Sequence, residues 1–267
     1  MIESGDIMST IKIKNGEINY IKFGNGNKKL VMIPGVSIKP VTNYADSIIE
    51  AYKKVADKYE IYLFDRLTNP RANYSIKDMA LDTLEAINKL GLNNFNLFGV
   101  SQGGMIALEM YLDSPNLICK LVLGSTSYIV DDINYKVIDL WVNLAKKGKN
   151  KDLYLKFCKD IYPKDFYDKY EKDFVLLSKT ITKNDLEGFI RIAEATKNYN
   201  ISKQLDNIKC KTYLIGSKDD KVFDYNMMVE MSNRIKNSKI YLYDTYGHAV
   251  FDMAPDFKER LLKYLDE

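Results

Sequence analysis

Phe95-Asn96-Leu97-Phe98-Gly99-Val100-Ser101-Gln102-Gly103-Gly104 is the stretch that decides how this chain folds. Phe95 to Phe98 is a short strand-like run. Gln102 to Leu112 follows as a helix with Met105, Ile106, Ala107 and Leu108 as apolar residues. Between the two, Gly99-Val100-Ser101-Gln102-Gly103 matches G-x-S-x-G. Directly after a strand and before a helix, that pattern means a nucleophile elbow. The turn is tight, so the positions two before and two after the serine must be small. Gly99 and Gly103 meet that demand, and Gly104 gives further room. The serine takes a strained backbone conformation that projects its hydroxyl off the sheet edge. A phosphate loop would need Gly-Lys-Ser/Thr and a dinucleotide fingerprint would need G-x-G-x-x-G. Neither is present.

Outward from the elbow, strands and helices alternate. Upstream, Thr10–Lys14 and Ile18–Phe23 flank Asn15-Gly16, a strong hairpin signal. Leu30-Val31-Met32-Ile33 is a buried-strand run ending at Pro34-Gly35, and Ile61-Tyr62-Leu63-Phe64 is a second. Val41 to about Tyr59 has helical spacing. Ser75 opens a capping box with Asp78, apolar residues from Ile76 to Leu90 follow at helical spacing, and Gly91 sits where a C-cap glycine belongs. Downstream, Lys120–Gly124 is a strand. The pattern then breaks from Ser125 to Asn207, which reads as several short helices rich in Lys, Asp and aromatic residues. Alternation resumes with the strand Thr212–Ile215, a helix over Asn226–Ile235, the strand Ile240–Tyr243 and a last helix from Pro255 to Leu265, with Pro255 at its first position. This predicts an α/β fold with a parallel sheet between helical layers: a core of residues 1–124 and 208–267, with a helical insertion at 125–207.

Composition narrows the function. Lys plus Arg is 39 and Asp plus Glu 36, a net charge of +3, too balanced to imply a nucleic-acid partner. Only Arg66, Arg71, Arg191, Arg234 and Arg260 carry a guanidinium, which argues against phosphate-fork recognition. Cys119, Cys158 and Cys210 are odd in number and far apart, so reduced thiols and a cytoplasmic location are expected. No apolar run approaches a membrane span, no secretory signal is visible, and Met1 to Ile7 read as a loose leader. With a single histidine, His-based zinc clusters are ruled out. No metal or cofactor is expected.

A serine hydroxyl is a poor nucleophile until a base takes its proton. His248 is the only imidazole, in a loop after the strand Ile240–Tyr243, at the carboxyl edge where open α/β sheets place their sites. A third group must fix its tautomer and stabilise its cation. Gly216-Ser217-Lys218-Asp219-Asp220 follows the strand Thr212–Ile215. Asp219 is chosen, with Asp220 as close rival. Donors for a developing oxyanion are expected from the backbone N–H groups of Gln102, beside the serine, and Val36, in the loop after Pro34-Gly35.

The order Ser101…Asp219…His248, the elbow, Leu30–Gly35, Gly216–Asp219 and Tyr246-Gly247-His248 together resemble the α/β-hydrolase fold superfamily, from about Thr10 to Leu265. The resemblance implies a mostly parallel eight-stranded sheet with a helical cap inserted after the sixth strand. Many members carry His-Gly where this chain has Pro34-Gly35. Many also carry an Arg-Gly-x-Gly run where this chain has Asp65-Arg66-Leu67-Thr68-Asn69-Pro70-Arg71. Members that open epoxides or cleave carbon–halogen bonds use Asp at the elbow, so Ser101 argues against those activities.

The expected function is a serine hydrolase acting on a small carboxylic ester or thioester, a small-molecule acyl substrate. The alternatives are carbon–carbon bond hydrolysis by the same triad and a non-catalytic ligand-binding protein on the same fold. The aromatic residues of the insertion either line an apolar pocket or form the insertion's own core.

Overall fold

The computed structural model describes residues 8–267, so the Met1–Ile7 leader lies outside the described residues. The strands are β1 (Met8–Ile13), β2 (Gly16–Phe23), β3 (Lys28–Ile33), β4 (Tyr59–Leu67), β5 (Phe95–Val100), β6 (Ile118–Gly124), β7 (Lys211–Ser217) and β8 (Ser238–Tyr243). They form one sheet in the order β1-β2-β4-β3-β5-β6-β7-β8. β2 pairs antiparallel with β1 and with β4. Every other pairing is parallel.

The helices are α1 (Ala45–Ala51), α2 (Lys53–Ala56), α3 (Ile76–Lys89), α4 (Gln102–Asp113), α5 (Asp132–Lys146), α6 (Asn150–Ile161), α7 (Lys164–Ser178), α8 (Lys183–Glu194), α9 (Asn226–Arg234), α10 (Val250–Met253) and α11 (Phe257–Asp266). Successive strand side chains face opposite ways, and this chain uses both faces. Val31, Ile33, Leu97, Leu121 and Leu123 pack into a core shared with α3, α4 and α9. Leu30, Met32, Phe98 and Val122 face the other core, against Val55 of α2 and Phe257 and Leu261 of α11. Helices α5 to α8 all lie between β6 and β7. The chain runs past itself there at an antiparallel bridge between Ile129 and Asn200.

Local signals explain most boundaries. Ser75 and Asp78 form a reciprocal capping box at the start of α3, and Gly91 ends it with φ +65°, a left-handed value that suits glycine. Two expectations change. The helical pattern over Val41–Tyr59 resolves into a 3-10 turn, α1 and α2, broken at Tyr52 (φ −103°, ψ 12°). It stops at Ala56 because Tyr59, fully buried, already belongs to β4. The last helix begins at Phe257, not Pro255. Pro255 instead follows α10, whose last turn it cannot continue because it has no N–H to donate.

Candidate active site

The elbow forms as its glycines require. Ser101 has φ +54° and ψ −125°, a strained combination for a residue with a side chain. Its N–H donates to Gly124 O at 2.8 Å, and its carbonyl accepts from Thr126 Oγ1 at 2.6 Å. A Cβ on Gly99 would stand 2.3 Å from Gly103 O, and one on Gly103 would stand 2.1 Å from Ile33 O. Strand β5, helix α4 and the end of β3 therefore meet backbone to backbone at the serine.

His248 comes from the loop after β8 and is buried. Its Nε2 lies 2.9 Å from Ser101 Oγ, and its Nδ1 lies 2.8 Å from Asp220 Oδ2. A carboxylate on Nδ1 holds the proton there and leaves the Nε2 lone pair facing the hydroxyl. The carboxylate on the imidazole is thus Asp220, not the chosen Asp219. The reason lies in the turn after β7. Asp220 turns inward, its side chain only 4% exposed, and its other oxygen accepts from the N–H groups of Val222 (2.8 Å) and Phe223 (3.1 Å). Asp219 is exposed at the rim. There its Oδ1 accepts from Gly247 N–H at 2.8 Å and lies 2.5 Å from Ser217 Oγ. Asp219 thereby braces the peptide just before the histidine.

The loop after β3 lies against the serine, since a Cβ on Gly35 would be 3.0 Å from Ser101 Cβ. Val36 and Gln102 both border the cavity beside Ser101. Among the described residues neither of their N–H groups has a protein acceptor, the state expected of donors kept for a ligand. The run Asp65–Arg71 holds the segment after β3 through its first two residues. Buried Asp65 accepts from the N–H groups of Val41 (2.7 Å) and Thr42 (3.0 Å) and from the Thr42 hydroxyl (2.5 Å). Burial outweighs those bonds and pushes its carboxyl above the ordinary range. Arg66 donates to Pro34 O at 2.5 Å. Burial lowers its guanidinium to about 10, still charged at neutral pH. The sequence marked this run only as a departure from the glycine-rich pattern, and its role stayed hidden because the partners are groups of a distant segment.

Ser101 and His248 open into a cavity of about 590 Å³, the size of a small-ligand site. Both readings of the insertion's aromatic residues hold in part. Trp141, Tyr154, Phe157, Tyr162, Phe166 and Phe174 line the cavity, whereas Tyr128 packs in the core beneath. Cys158 also faces the cavity, but burial pushes its thiol up to about 12, so it is protonated and a weak nucleophile at neutral pH. Three hydrogen bonds tie the insertion to the site. Ile161 O, at the end of α6, accepts from Ala249 N–H at 2.9 Å. The Gln102 side-chain amide donates to Ile192 O (2.7 Å) and lies 2.8 Å from Thr196 Oγ1.

This geometry agrees with the kinship of the chain. Residues 55–255 match the model of the alpha/beta hydrolase fold family. The chain belongs to the α/β-hydrolase fold family. Among its relatives, the "Putative carbamate hydrolase RutD" of Agrobacterium fabrum is 26% identical over 200 residues, 71% of this chain and 74% of that protein. A 2-hydroxy-6-oxononadienedioate/2-hydroxy-6-oxononatrienedioate hydrolase of Pseudomonas sp is 24% identical and covers 94% of this chain and 92% of its own. Among solved structures, the α/β hydrolase MGS-M2 from a Medee basin deep-sea metagenome library aligns with TM-score 0.86 at 20% identity, over 97% of this chain and 98% of that one. The enol-lactonase of Burkholderia xenovorans LB400 aligns with TM-score 0.83 at 15% identity, over 97% of this chain and all of the other. These comparisons place this α/β-hydrolase-fold chain among hydrolases. Among its described residues, no helix is long and apolar enough to cross a membrane.

Proposed function

We propose that the chain is a serine hydrolase that cleaves a small carboxylic ester or thioester through an acyl-enzyme. The observation that carries this reading is the continuous relay from Asp220 through His248 to Ser101, 2.8 and 2.9 Å long, in the wall of an apolar cavity. As Ser101 Oγ attacks the carbonyl carbon, His248 Nε2 takes its proton. The Val36 and Gln102 N–H groups hold the oxyanion, each such donor being worth about 10²–10³ in rate. The imidazolium, stabilised by Asp220, gives that proton to the departing alcohol or thiol. Water then attacks the acyl-enzyme, His248 takes a proton from it, and the acid leaves as Ser101 recovers its hydrogen. Helices α5 to α8 act as the cap over this site, and α5 to α7 supply part of its apolar wall.

A fluorophosphonate probe is expected to label Ser101, read by peptide mass, and His248→Ala to abolish labelling with the fold intact. Folded wild-type protein that stays unlabelled would overturn the reading in favour of a ligand-binding protein. Carbon–carbon bond hydrolysis is the second reading, favoured by the Pseudomonas relative, which matches this chain almost end to end. A labelled enzyme that turns over a diketone-like substrate but no p-nitrophenyl ester would select it.

A further inference from the structure

Asp252 is an acid in an apolar cavity. It lies on α10, four residues after His248, and lines the same cavity as Ser101. Its side chain is accessible to water, yet the surrounding protein desolvates the carboxyl and pushes it above the ordinary carboxylate range. Asp252 thus stands on the cavity wall where water reaches it. Among the described residues, no donor hydrogen-bonds this carboxyl. The nearest cation, Lys258, donates instead to Phe251 O at 2.7 Å and makes no ion pair with it. Tyr52 and Tyr162 also line the cavity, and both lie close enough to feel the Asp252 charge.

An unpartnered acceptor is costly beside a substrate that displaces its water and offers nothing in return. An alkyl chain passing Asp252 does that, whereas a chain ending in a donor restores the bond. Sites built around such a bond discriminate far more strongly than apolar pockets do against one methylene. Resting on the hydrolase reading above, we propose that Asp252 is the specificity-determining acceptor of the cavity. It selects substrates whose cavity-filling part carries a hydrogen-bond donor, a hydroxyl or an ammonium, over those with a plain alkyl chain.

The test compares kcat/KM for p-nitrophenyl esters of matched six- and eight-carbon acids: alkanoate, ω-hydroxyalkanoate and ω-ammonioalkanoate. In wild type, the better donor-bearing ester is expected to exceed its alkyl counterpart by at least about tenfold. Asp252→Leu should erase or invert that ratio. Asp252→Asn, which keeps an acceptor but no charge, should retain the hydroxyl preference and lose the ammonium one. Fluorophosphonate labelling of Ser101 in each variant reports an intact site. Labelled wild-type protein with no donor preference at either length, or a ratio unchanged in Asp252→Leu, overturns the inference and leaves the hydrolase reading standing. An unlabelled Ser101 sinks both.

Discussion

Asp219 and Asp220 are adjacent in the chain and have different tasks. Asp220 meets the imidazole, and Asp219 meets the peptide N–H one residue before it. Under the proposed mechanism, Asp220→Asn should lower kcat by about 10⁴. Asp219→Asn keeps an acceptor for Gly247 and should cost less than about tenfold. Steady-state kinetics with one ester decide it, and the reverse ranking would return the relay to Asp219. The sequence made Ser101 and His248 legible because each has one candidate and a diagnostic neighbourhood. It left the acid open because either of two adjacent carboxylates can turn inward. What decides the direction is the turn that Asp220 N–H closes onto Ser217 O and the two amides that cradle its side chain. None of those groups is visible in residue types.

At the level of elements, the elbow shows how little freedom a strand–turn–helix junction has. A methyl on Gly103 would meet the Ile33 carbonyl at 2.1 Å, so β3 or α4 would have to move. Overpacking of this kind costs about 1–3 kcal/mol or more. Gly103→Ala should therefore lower Tm by at least about 3 °C, and kcat should fall further than stability explains. A melting curve and activity matching wild type would refute the close backbone contact. Strands were easy to read because apolar runs bounded by Gly, Pro and Asn have few other uses. The split of the 41–59 pattern into a 3-10 turn, α1 and α2 was not. Nor was α10, a single turn between His248 and Pro255. Periodicity needs more residues than these elements have, and their limits come from tertiary contacts such as Asp65 on Val41 and Thr42.

The whole molecule is anchored at the end of the sheet away from the serine by its last helix. Asp266 of α11 receives Lys28 Nζ at 3.0 Å and Lys58 Nζ at 2.8 Å. Hydrogen bonds from these ammonium groups lower its carboxyl to about 2. A folded-state value below the unfolded one of about 4 means the contribution is present above about pH 4 and lost as the pH falls towards 2. The group is partly exposed, so the effect is below about 1 kcal/mol. Asp266→Asn should be less stable than wild type in urea at pH 5, with the difference gone at pH 2. A gap that does not change with pH would show that the ion pairs contribute nothing. At this scale the alternation of elements foretold the sheet. Which aromatic residues face the cavity was not foretold, because the apolar faces of these helices serve both the core and the cavity wall: Tyr135 of α5 packs in the core, whereas Trp141 of the same helix lines the cavity.

The link between α6 and the histidine loop joins a carbonyl to an amide, Ile161 O to Ala249 N–H. It belongs to the main chain, so no replacement at either position deletes it except proline at 249, which has no N–H. The walls of the cavity can drift in sequence, and with them the molecules admitted, while the imidazole stays in register. The constraint falls instead on Gly247, where φ is +64° and a Cβ would come within 2.9 Å of that carbonyl. Substrate range is thus free to diverge, and the cost of that freedom is concentrated in one residue that has no side chain.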